Sequence, residues 1–116
     1  MSTYPGDPLP DWWPPRNYSS RVAEKFCAIS GAELLFGVTV SNSNAAARFV
    51  LLFDLEALPA DGTVPSAPFS VAATGDKQLL WMPPRRIERG ILLAGSTTQN
   101  TLTLGAAEFL FDVQYI

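Results

Sequence analysis

The chain contains no histidine and a single cysteine, Cys27. Those two counts remove most of the machinery by which small proteins do chemistry. A Ser-His-Asp or Cys-His nucleophile needs an imidazole to take its proton, and a structural zinc site needs several His or Cys ligands. A CxxC redox pair needs a second thiol. No GxGxxG or GxxxxGK[ST] run is present to cradle a phosphate. Lys25 and Lys77 lie in no motif that would pair them with a serine nucleophile. What remains is carboxylate chemistry. Asp54 with Glu56, or Asp61 with Asp76, are conceivable pairs for glycoside hydrolysis, and Asp54, Glu56 and Asp61 for calcium, but no DxDxDG-type spacing orders them. Solvated loop carboxylates are the simpler reading. The expectation is a protein that is not an enzyme and uses no cofactor or metal.

Cys27 lies in Phe26-Cys27-Ala28-Ile29, where a lone thiol behaves as a small buried hydrophobe. With no second cysteine, an intrachain disulfide is impossible.

Composition points instead to contact. The 116 residues suffice for one domain with its own core. Apolar residues make up 47% and charged residues 16%, against about 25% charged in ordinary soluble domains. A surface so poor in charge favours obligate assembly, including a homo-oligomer. The net charge is −3 and the eight basic residues are scattered, so no basic face marks a nucleic-acid partner. The longest near-continuous apolar stretch, Ala45–Phe53, is split by Arg48 and falls far short of the roughly 20 residues that span a bilayer. No charged segment followed by an apolar stretch opens the chain, so the reading is assembly in a cytoplasm, away from membranes.

Residues 1–20 stand apart from residues 21–116. Pro5, Pro8, Pro10, Pro14 and Pro15 lie there, interleaved with Tyr4, Trp12, Trp13 and Tyr18. Each proline fixes φ, removes an amide donor and pushes its predecessor toward extended conformations. The segment therefore reads as an extended arm that forms neither helix nor central strand. Two adjacent indoles exposed to water would be costly. Either the arm covers its own domain or it docks Tyr4, Trp12, Trp13 and Tyr18 on a neighbouring subunit.

From Arg21 on, short β-type runs alternate with turn residues. Val22–Ile29 reads as a first strand. Leu34–Ser41 follows, with Phe36, Val38 and Val40 on one face, then the turn cluster Ser41-Asn42-Ser43-Asn44. Arg48–Asp54 is the return strand, with Phe49, Leu51 and Phe53 expected inward; a helix over Ala45–Leu58 competes but lacks a polar face. Residues 59–68 form a Pro-rich loop, and Phe69–Ala72 alternates again. Gln78–Met82 is a short strand stopped by Pro83-Pro84, and Gly90–Gly95 is a buried strand between glycines. Glu108–Ile116 is the clearest strand, with Phe109, Phe111, Val113 and Tyr115 on one face. Seven to eight strands at this spacing predict an all-β antiparallel β-sandwich or barrel with an extended N-terminal arm. Arg85, Arg86 and Arg89 flank Ile87-Glu88 and read as a charged edge that blocks wrong strand pairing, as interface anchors or, least of all, as a nucleic-acid contact.

The stretch from Leu34 to Asp54, a strand, an Asn-rich turn, "AA-R-F-V" and an "F-D" strand end, resembles small tailed-bacteriophage structural proteins. So do Pro59-Ala60-Asp61-Gly62-Thr63-Val64-Pro65, Arg89-Gly90-Ile91, Ser96-Thr97-Thr98 and Phe111-Asp112-Val113-Gln114-Tyr115. The likeness covers residues 30–116 and leaves the arm unmatched. It implies a virion component with a sandwich or jelly-roll body, assembled in the bacterial host. The most specific expectation is capsid decoration or cementing, with the major capsid protein or other virion subunits as partners. The alternative is a tail, baseplate or head-tail junction component, including a carbohydrate-binding module. The resemblance carries no active-site residues.

Overall fold

The computed structural model describes residues 16–116. Eight strands and no helix form among them: β1 (Arg16–Ser19), β2 (Phe26–Ser30), β3 (Leu34–Asn42), β4 (Arg48–Asp54), β5 (Ala67–Val71), β6 (Asp76–Arg86), β7 (Gly90–Ser96) and β8 (Phe109–Tyr115). They make two antiparallel four-stranded sheets, ordered β1-β8-β3-β6 and β2-β7-β4-β5. The pairings nest: β1 with β8, β2 with β7, β3 with β6 and β4 with β5. Two further pairings, β3 with β8 and β4 with β7, complete the sheets.

The sheets share one sandwich-like core. Val38, Val40, Phe109, Phe111 and Val113 from the first meet Cys27, Ile29, Val50, Leu52, Val71, Ile91 and Leu93 from the second. The alternation read along β8 is what the structure shows, with Phe109, Phe111 and Val113 buried and Tyr115 packed against the core. Cys27 is buried among them, and burial first, then the charge of Glu24, pushes its thiol up to about 12.

Four local expectations give way to tertiary pairing. Residues 20–25 carry the chain from one sheet to the other, so only an isolated bridge from Glu24 to Phe109 forms before β2 opens at Phe26. In β3 the register with both neighbours shifts between Leu35 and Gly37. That bulge turns Leu35 into the core in place of Phe36, because one extra residue inverts the alternation upstream of it. In β4, Val50 and Leu52 face the main core, whereas Leu51 and Phe53 face away from it. Their side is apolar because Leu102 closes over it, with Phe49, Leu55, Leu58 and Leu104 at its margin. Finally, β6 does not stop at Pro83-Pro84 but runs through to Arg86, with a cis bond at Met82-Pro83. An edge strand tolerates prolines because one side of its backbone makes no ladder bonds, and β6 is the outermost strand of its sheet.

Candidate interaction surface

The two sheets differ on their outer sides. The loops covering β2-β7-β4-β5 are laced together: Gly62 N donates to Leu102 O at 2.7 Å, Leu102 N to Thr63 O at 2.9 Å and Leu104 N to Asp61 Oδ1 at 3.2 Å. Ser96, fully buried, accepts from the amides of Thr98 and Thr103 and donates to Thr98 O, pinning the second loop. Among the described residues, no comparable apolar cluster lies on the outer side of β1-β8-β3-β6.

Strand register builds that open face in rows. Asn17, Gln114, Gly37 and Leu80 form one; Ser19, Asp112, Thr39 and Gln78 the next; Leu110, Ser41 and Asp76 the third. The first two rows are amide, hydroxyl and carboxylate apart from Gly37 and Leu80. Oriented to satisfy its neighbours, the Asn17 amide donates to Asp112 Oδ1 at 2.6 Å and accepts from Ser19 Oγ at 2.9 Å. Gln114 Nε2 donates to Asp112 Oδ1 at 3.1 Å. At the β6 margin the character changes, with Leu80 71% and Met82 95% exposed. A groove of about 460 Å³ opens at the far end between Arg21, Val22, Ser41, Thr74, Asp76 and Leu110.

Of the residues singled out from sequence, Tyr4, Trp12 and Trp13 lie outside the described residues. Tyr18 lies in β1, inside the segment that composition assigns to the arm. No proline follows Pro15 there, so the amides of residues 16–19 are free to pair with β8. Its ring packs against the core and its hydroxyl donates to Glu24 Oε1 at 2.8 Å. Burial first, then that bond to Glu24, pushes the phenol up to about 12.

The three arginines do not form one patch. Arg85 pairs with Leu35 and is half-buried; Arg86 pairs with Leu34, is exposed, and lines a hollow of about 510 Å³ with Glu33, Leu34 and Ile87. Adjacent strand residues face opposite sides. Arg89 is exposed on the turn after β6.

That turn is held by Asp54, whose carboxylate accepts from the amides of Glu88 at 3.0 Å, Arg89 at 2.8 Å and Gly90 at 3.2 Å. Partial desolvation pushes its pKa up, but the three amides and the Arg89 charge outweigh this and hold it below the usual carboxylate range. Its stabilising contribution is therefore complete above the unfolded value of about 3.9 and is lost as pH falls through the lower folded value. Asp54→Ala is expected to cost about 2 kcal/mol at neutral pH, by the range for hydrogen bonds to charged groups. Urea titrations below pH 4 should show a shallower acid dependence in the variant than in the parent.

The structure does not bring Asp61 and Asp76 together. Asp54 is occupied by amides, and Asp61 accepts from Leu104 over one sheet while Asp76 sits beside Ser41 on the other. Glu108 accepts from Asn44 Nδ2 at 2.5 Å and pairs with Arg48 Nε at 3.4 Å. Among the described residues, no group of three or more His, Cys, Asp or Glu is placed to hold a metal.

Leu80 and Met82 are the surface residues that motif reading passes over. Their signal is Leu79-Leu80-Trp81-Met82 directly before two prolines. Four successive apolar residues on an edge strand must turn two outward. No protein-family model, curated protein or solved structure matches the chain.

Proposed function

We propose that this chain is a non-enzymatic structural subunit of a tailed-phage particle, a jelly roll that decorates or cements the capsid by binding the major capsid protein. The observation that carries the reading is the nested order of the strands. A long antiparallel hairpin pairing β1 with β8, β2 with β7, β3 with β6 and β4 with β5, rolled so that β8 meets β3 and β7 meets β4, supports the jelly-roll reading. That architecture recurs in viral capsid and lectin domains. The low share of charged residues, which favours assembly, supports the same reading.

Such a subunit needs two contact surfaces, since linking them raises avidity through effective concentration. The open face of β1-β8-β3-β6 is one, and the Pro/Trp arm rooted at its β1 edge is the other. Replacing Trp12 and Trp13 together with alanine is expected to remove on the order of 3 kcal/mol of binding, more than a hundredfold in affinity. Occupancy on purified particles would then vanish while the β-type circular dichroism stays intact. Unchanged occupancy would remove the arm from the contact. A particle reconstruction tests the role itself: density repeating over the capsid lattice is the expected result, and a single ring at one vertex would move the subunit to the portal or tail.

A further inference from the structure

The β6 margin presents a surface that nothing in the described body uses. Leu80 and Met82 stand out from the sheet, Pro83 beside them is exposed, and Lys77, Arg85 and Arg86 flank them along the strand. Strand addition is disfavoured there, because the two prolines lack amide donors and the charges discourage edge pairing. A side-chain partner fits instead: a thioether and a leucine suit a flat aromatic ring.

Residues 1–15 supply such rings. They leave the body at Arg16, which pairs with Tyr115 in the row that ends at Leu35 and Arg85. Arm root and patch therefore sit at the same height on the sheet, three strand spacings or about 14 Å apart. Trp13 reaches its own Met82 only if the chain reverses across three strands within Pro14-Pro15-Arg16. Proline favours extended backbone and disfavours so tight a reversal. A 15-residue segment spans up to about 50 Å, ample to reach an adjacent molecule.

We propose that the Leu80–Met82 edge of β6 is the seat of the Trp12-Trp13 pair of a second copy of this chain, so that copies are linked by arm exchange. This does not depend on the assembly being a virion. Single-cysteine probes at neighbouring positions leave the anchors intact: Asp11→Cys beside the indoles and Gln78→Cys on the open face. Cys27 is buried and silent. When full-length D11C and Q78C proteins, one carrying a mass tag, are mixed under mild oxidation, a mixed disulfide dimer should form. It should exceed many-fold the yield from D11C with S70C, an exposed control on the other sheet. Adding Met82→Asp to Q78C should abolish the excess while circular dichroism stays at the parent level. Equal yields from Q78C and S70C would overturn the proposal. So would a D11C/Q78C double variant that closes only within one chain.

Discussion

Gly95→Ala is expected to destabilise the fold by about 3 kcal/mol, the upper part of the range for overpacking a filled core. A Cβ at this position would stand 2.1 Å from Cε2 of Phe109. Phe109 is fully buried, and its ring lies beside that of Phe111 with centroids 5.9 Å apart. Nor is β7 free to withdraw, since Gly95 N donates to Lys25 O at 2.9 Å and Gly95 O accepts from Gly105 N at 3.2 Å. The missing side chain is thus the space into which the opposite sheet inserts a fully buried phenyl ring. Urea unfolding should show a lower midpoint for G95A. The double variant G95A/F109L should recover much of the loss, because the smaller side chain vacates the clash. Additive losses in the double variant would contradict this account.

Asn42→Ala should cost about 3 kcal/mol, through loss of a buried polar side chain that leaves its partners unsatisfied. Only 3% exposed, Asn42 ends β3 and ties two turns together. Its Nδ2 donates to Ala46 O at 3.1 Å and to Ala72 O at 3.2 Å, while its Oδ1 accepts from Asn44 N at 2.9 Å. Asn42→Asp keeps the acceptor but aims a charge at two carbonyl oxygens from a buried position. At neutral pH it should be no more stable than the alanine variant. The introduced carboxylate favours its protonated form there, so N42D should regain stability as pH falls, while N42A does not. Parallel pH profiles for N42A and N42D would refute the role assigned to the amide.

Both positions show how unevenly the chain discloses itself. The Asn-rich cluster is readable as a turn because asparagine bonds neighbouring backbone groups. Its bond to Ala72, 30 residues away, is not. Phe49, Leu51 and Phe53 read as core-facing because they are apolar and alternate, yet Val50 and Leu52 alternate with them and are equally apolar. Periodicity cannot choose between two apolar faces of one strand. The choice belongs to Leu102 and its loop, which close one face while the other sheet closes the opposite one.

The surface follows the same division. Missing histidine, a lone cysteine, sparse charge and a Pro/Trp segment are properties of residue identity, and they alone direct attention from catalysis to contact. Alternation and turn chemistry are local, so they suffice for an all-β antiparallel chain of about eight strands. Which strands become edges depends on pairings between residues far apart, and no local signal carries those. Long-range pairing placed β6 outermost, carried it through Pro83-Pro84, left Leu80 and Met82 facing solvent, and drew Tyr18 into the sheet at its opposite margin.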